Sequence, residues 1–100
     1  MTEAQTISWI FLATAIASQN GPAPVDSISG IADGINHAIP TRQELDTALH
    51  WLIRKNLIIK TENKYSLTGA GRSMITEASS ENSQVLQTWD KLDSLLNMTQ

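Results

Sequence analysis

Residues 41–72 read TRQELDTALHWLIRKNLIIKTENKYSLTGAGR, and this stretch contains the strongest structural signals of the sequence. Thr41 is followed three positions later by Glu44, and this spacing forms a capping box that marks the start of a helix. Pro40 disfavours helix in the residue before it, which sharpens the boundary. We therefore predict a helix over residues 41–55.

Apolar residues recur within this helix at spacings of three and one, which places them on a single stripe. One face should therefore be buried, and the opposite, polar face should be free to bind a partner. The buried stripe comprises Leu45, Ala48, Leu49, Leu52 and Ile53; the opposite face carries Gln43, Thr47, His50 and Arg54, flanked by Asp46 and Trp51.

Two short β-rich runs follow, at residues 57–60 and 64–67, and residues 61–63 between them are few enough for a hairpin loop. Asn56 is predicted to end the helix, because Asn tolerates left-handed backbone. Thr68 is predicted to cap another helix, in which Gly71 is a mild defect.

This segment resembles the winged-helix domains of bacterial transcriptional regulators of the MarR and PadR type. Such regulators commonly have Gly where Asn56 stands. The resemblance covers residues 7–78 and implies a mainly α fold with a small β-hairpin, a winged helix-turn-helix. An additional C-terminal helix is predicted from the apolar spacing of the residues that follow this segment. The resemblance further implies a dimer that binds double-stranded DNA through recognition helix 41–55 and wing 57–68. The shared positions are Leu45, Leu49, Leu52, Lys55-Asn56-Leu57-Ile58 and Tyr65-Ser66-Leu67-Thr68-Gly69-Ala70-Gly71.

The first apolar run, residues 7–17, ends on small residues spaced like a signal-peptidase site. No basic residue precedes it, and it is shorter than the about 20 residues that span a bilayer. We therefore expect a core helix and no membrane association. Because its side chains are apolar nearly all round, other elements must cover every side.

The C-terminal segment, residues 83–100, is expected to supply part of that cover as an amphipathic helix. The helix could fold back over the first helix of its own chain, or the first and last helices of two chains could join in a homodimer, as the resemblance implies. We therefore predict a winged-helix domain over residues 1–78, a linker over residues 79–82 and a dimerisation or capping helix over residues 83–100. The proposed dimerisation residues are Trp9, Val85, Trp89, Leu92 and Leu96.

A middle helix is predicted over residues 25–37, from apolar residues three or four apart. Residues 21–24, which read Gly-Pro-Ala-Pro, are interpreted as a turn before it. Gly30 and Gly34 weaken this helix, and we expect one of them to lie where it crosses helix 41–55.

Composition indicates one small domain, since the chain has 100 residues of which 41% are hydrophobic. The absence of cysteine excludes disulfides and favours the cytoplasm. His37 and His50 have no spacing that suggests a shared metal, and no nucleophile has an adjacent base. We therefore expect no enzyme activity, no cofactor and no metal.

Charge is unevenly distributed. The whole chain carries −3, which argues against a simple nucleic-acid binder, yet residues 41–72 carry +3. If DNA is the partner, Gln43 could hydrogen-bond adenine, and Thr47 could contact a thymine methyl or a phosphate. Arg42 or Arg54 could reach guanine or phosphate, whereas the lysines beside the wing tip would contact phosphates. The predicted DNA-binding residues are Arg42, Gln43, Thr47, His50, Arg54, Lys60 and Lys64.

For two residues beside this face, Asp46 and Trp51, the sequence leaves two structural roles open. Asp46 would be repelled by phosphates unless it accepts a hydrogen bond from a cytosine amino group or orients Arg42. Trp51 either packs in a groove or interface, or is an exposed docking residue for a protein. The acidity, the short wing and Asp46 support the alternative function, a winged-helix module that binds protein and not DNA.

Overall fold

The computed structural model describes residues 1–80 and 84–99. The described chain is mainly helical with a small antiparallel sheet of strand order β1-β3-β2, so the coarse prediction of helices with a small β-hairpin is confirmed. The elements are α1 (Glu3–Ala17), β1 (Ala23–Pro24), α2 (Val25–Asn36), α3 (Arg42–Arg54), β2 (Ile58–Thr61), β3 (Lys64–Leu67), α4 (Gly69–Ser79) and α5 (Val85–Thr99).

Helix α1 is the centre of the molecule. It starts earlier than predicted, because Thr2 and Gln5 form a capping box that the apolar run alone did not indicate. Its side chains are buried on every side from Ile7 to Thr14, with α2, α3 and α5 as its main neighbours. The prediction that this helix is a core helix is confirmed.

The cover over α1 includes α5 of the same chain. The indole Nε1 of Trp89 donates to the backbone oxygen of Gln5 at 3.0 Å and to Ser8 Oγ at 3.1 Å, which fastens α5 to α1. Trp9 lies beside Trp89, with ring centroids 6.2 Å apart, and its own Nε1 donates to the Ala32 oxygen at 2.9 Å. A second chain is therefore not required to cover α1.

This packing places the proposed dimerisation residues in two different environments. Trp9, Leu92 and Leu96 are fully buried in the core of their own chain, and Trp89 is half-buried against it. Val85 is still exposed, as is its neighbour Leu86. A dimer built on the buried residues would require two chains to exchange α5, whereas one built on Val85 would not.

Both ends of α3 follow local chemistry. At its start, the Glu44 amide donates to Thr41 Oγ1 and the Thr41 amide to Glu44 Oε1, which confirms the predicted capping box. At its end, Asn56 adopts φ 60°, with hydrogen bonds from its amide to the Ile53 oxygen and from Leu57 N to the Leu52 oxygen, both 3.0 Å. This is a Schellman motif, and Asn56 fills the position that usually requires glycine.

The hairpin turn is tighter than predicted. Thr61 pairs with Lys64, so the loop consists of Glu62 and Asn63 and not of residues 61–63. These two residues have φ of 52° and 65°, which is the geometry of a type I′ turn. Such a turn matches the twist of the two strands, and Glu is an unusual residue at its first position.

Residues 23 and 24 correct the prediction of a plain turn between α1 and α2. Ala23 pairs with Tyr65 and Pro24 with Lys64, so this short stretch is an edge strand of the sheet. Proline is tolerated there because an edge strand leaves one side of its backbone unpaired.

The glycines also depart from prediction. Gly30 and Gly34 have open space where a side chain would lie, so neither marks a helix crossing. Gly71 is instead the position of close approach, because a Cβ there would overlap the backbone oxygen of Leu57. Beside it, the Thr68 hydroxyl donates to the Asn56 oxygen at 2.6 Å and accepts from the Gly71 amide at 3.0 Å. These contacts join the start of α4 to the base of the hairpin.

The remaining boundaries are close to prediction. Helix α2 ends at Asn36, with His37 as its left-handed cap. Ser79 and Ser80, assigned to the predicted linker, are the last residue and the cap of α4, and residues 81–83 and 100 lie outside the described part of the chain. In that part, no helix is both long and apolar enough to cross a membrane.

Candidate nucleic-acid interface

The candidate interface consists of α3 and the β2–β3 hairpin, which we call the α3–hairpin surface. Helix α3 packs against β2, and the Schellman motif at Asn56 fixes the path from one to the other. Leu45, Leu49 and Leu52 are buried and hold α3 against the core, as predicted. Ile53, predicted to belong to the same buried stripe, is instead 38% exposed, whereas Trp51 is buried, so the buried face is turned towards Trp51 relative to the prediction. The opposite face of α3 is consequently turned to solvent.

All the predicted DNA-binding residues are exposed on this surface. Four of them run along α3 as one stripe, at intervals of four, three and four residues, so they share one side of the helix. A helix of 13 residues is about 20 Å long, enough to cross the width of a DNA major groove, about 12 Å. The stripe is Gln43, Thr47, His50 and Arg54, with Arg42 beside it and Lys60 and Lys64 on the hairpin.

The two hairpin lysines lie on opposite faces of the ribbon. Cross-strand partners share a face and alternate along each strand, so Lys60 lies with Tyr65, while Lys64 lies with Thr61. Lys60 Nζ is 5.8 Å from the centroid of the Tyr65 ring, a cation–π distance. The hairpin therefore presents one cation on each of its two sides.

Carboxylates interrupt the positive charge at two points. Asp46 Oδ2 lies 3.5 Å from Arg42 Nε, so of the two roles considered for Asp46, pairing with Arg42 is present in the structure. Glu62 occupies the hairpin tip between the two lysines in sequence. The surface has five cations and three carboxylates between residues 41 and 67, a net charge of +2.

Trp51 is buried, with 8% of its surface exposed, so it is a packing residue and not an exposed docking residue. Lys55 was not among the predicted DNA-binding residues. Its Nζ lies 5.6 Å from the centroid of the Trp51 ring. The spacing of four residues between them was the available signal, because residues four apart on a helix are neighbours. Lys55 is thereby held at the junction of α3 and the hairpin.

A cavity of about 530 Å³ lies elsewhere and is lined from α1, β3, α4 and α5. Arg72, which contributed to the positive charge of residues 41–72, lines this cavity, whereas no residue of α3 does. Its other lining residues include Leu12, Ile16, Leu67 and Ile75. Arg72 is therefore not counted in the α3–hairpin surface.

Comparison with known proteins finds no matching family model, no similar curated protein and no similar solved structure.

Proposed function

We propose that this chain is a winged helix-turn-helix protein that binds double-stranded DNA, with α3 as recognition helix and the β2–β3 hairpin as wing, and that it acts as a transcriptional regulator. The order of α1, β1, α2, α3, β2 and β3, with β3 between the other two strands, supports this fold assignment. A regulator of this kind would work in the bacterial cytoplasm, where its DNA is.

The observation that carries the proposal is the concentration of positive charge on the surface that α3 leaves open. Five of the seven Lys and Arg residues of the chain lie there, and with its three carboxylates the surface has a net charge of +2. Because the whole chain carries −3, the residues outside this surface together carry −5. Phosphates would attract this surface and repel the remainder, which orients the protein as it approaches DNA. Overall acidity is thus compatible with DNA binding through one face.

Duplex DNA suits the surface better than a single strand does. Proteins that bind single strands stack bases on exposed aromatic rings. The five aromatic residues of this chain are all buried or half-buried: Trp9, Phe11, Trp51, Tyr65 and Trp89. The exposed face of α3 instead offers Gln43, Thr47 and Arg54, whose side chains can hydrogen-bond base edges and phosphates in a major groove.

A homodimer is part of this proposal. Val85 and Leu86 are 42% and 62% exposed at the start of α5, although both are apolar, and they offer a contact surface that needs no exchange of helices. Two recognition helices related by a twofold axis would read a palindromic site.

The proposal is tested by selecting bound fragments from randomised duplexes and measuring affinity for the recovered site. We expect Gln43→Ala to lower the preference at one base pair by about 1–3 kcal/mol and to leave affinity for unrelated duplexes nearly unchanged. Gln87→Ala, at an exposed position of α5, is the matched control and should change neither quantity. Failure to recover any site, combined with no duplex binding at about 50 mM salt, would overturn DNA binding and favour the protein-docking alternative.

A further inference from the structure

The Arg42–Asp46 pair stands at the N-terminal end of α3, where helix-turn-helix proteins bring side chains to base edges. Arg42 is the first residue of the helix and Asp46 lies one turn further on, on the same side. Both side chains are largely exposed, at 83% and 64%. The pair is therefore at the surface that would meet DNA and not in the core.

Stabilisation of the helix does not account for this pair. Exposed ion pairs contribute little to folding, and a cation placed before its acidic partner has the weaker of the two orientations. Arg42 also places a positive charge at the positive end of the helix dipole. A role in fixing the direction of a side chain fits these positions better.

The atoms in contact indicate which direction is fixed. The nearest approach joins Asp46 Oδ2 to Nε of Arg42, the nitrogen closest to the chain, at 3.5 Å. The two terminal nitrogens point onward from Nε, and they are the atoms that make paired hydrogen bonds to O6 and N7 of guanine. Holding Arg42 through Nε restricts its rotamers while its reading end remains available.

We propose that Asp46 is a positioning and specificity-determining residue that holds Arg42 to read a guanine in the major groove. This inference rests on the proposed function. Asp46 contributes to specificity in two ways, because it orients the arginine and because its negative charge opposes binding to phosphates wherever the guanine is absent. Its presence on a surface meant for DNA, which is otherwise a disadvantage, is thereby explained.

The test compares binding to the selected site with binding to copies in which each guanine is replaced in turn. Arg42→Ala should abolish the preference for one particular guanine. Asp46→Ala should reduce the same preference about tenfold, while affinity for unrelated duplexes rises because a negative charge is lost. The double variant should show no greater loss of preference than Arg42→Ala alone, because the two residues act as a unit.

Glu62→Gln is the control, since it also removes one carboxylate from the α3–hairpin surface but lies on the hairpin tip. It should raise affinity for unrelated duplexes and leave the guanine preference unchanged. If the wild type selects a site and Asp46→Ala keeps the full preference for every guanine, the positioning role is overturned while DNA binding stands. If the wild type binds no duplex at all, the proposed function fails and this inference fails with it.

Discussion

A side chain at Gly71 would overlap the backbone oxygen of Leu57, whereas Gly30 and Gly34 face open space. Gly30, Gly34 and Gly71 all lie within helices, and the sequence suggested a crossing at one of the first two. Of these three, only Gly71 lacks space for a side chain, because the base of the hairpin passes directly against it. That contact joins α4 to Leu57 through tertiary packing, which no local pattern reveals.

The glycines lead to the first prediction. Gly71→Ala should lower the free energy of unfolding by about 1–3 kcal/mol, because the added methyl overlaps backbone that cannot easily move. Gly30→Ala should instead raise it by about 0.5–1 kcal/mol, since the site is open and Ala favours helix. Urea denaturation of both variants measures the difference. Equal stability of the two would contradict the packing of α4 against the hairpin.

Asn56 and Glu62 both have left-handed backbone, but only Asn56 could be predicted to adopt it. Asn56 was predicted to end α3, because Asn is a known substitute for glycine in that geometry. Glu62 was not predicted to be left-handed, since Glu has no such preference and the loop was expected to be one residue longer. The strands therefore impose the turn on an unsuitable residue.

Replacing that residue is the second prediction. Glu62→Asn should stabilise the protein by about 1 kcal/mol, because Asn adopts left-handed backbone at lower cost. Glu62→Gln removes the same charge without that benefit and should melt close to the wild type. Thermal melts of the three proteins provide the comparison. A Glu62→Gln variant as stable as Glu62→Asn would mean that charge, and not backbone geometry, limits the hairpin.

Helices and strands with a local signal could be predicted from the sequence. The capping box at Thr41 and the apolar stripe of α3 define a helix and most of its buried face within one segment. The structure confirms the capping box and the stripe except at Ile53, which is exposed. Strand β1 was missed because Ala23 and Pro24 have no strand signal of their own and become a strand only by pairing with β3. The exposed candidates on α3 followed from the phase of the helix.

For the whole molecule, the sequence indicates that other elements must pack around α1, but it does not determine whether they belong to the same chain or to a second chain. An apolar stripe on a C-terminal helix serves equally well in its own chain or in a partner. The structure places α5 on α1 of the same chain, fastened by Trp89 and by fully buried Leu92. The tertiary position of α5 therefore could not be predicted from local sequence patterns.

This packing separates core from interface in the third prediction. Leu92→Asp should unfold the protein, because it buries an unpaired charge at a cost of at least about 3 kcal/mol. Leu86→Asp, at an exposed position of the same helix, should keep the fold and dissociate the proposed dimer. Circular dichroism and sedimentation distinguish the two effects. A wild type that sediments as a monomer at micromolar concentration would refute the dimer.

We expect the α3–hairpin surface to contact DNA phosphates, and the salt dependence of duplex binding measures such contacts. Each phosphate contact contributes about 0.9 to the slope of log affinity against log salt, so Lys60→Ala with Lys64→Ala should flatten it by about two units. Lys91→Ala, which removes an exposed cation from α5, should leave the slope unchanged. If the hairpin double variant keeps the wild-type slope, or if neither protein binds duplex at low salt, the proposed phosphate contacts of the hairpin are refuted.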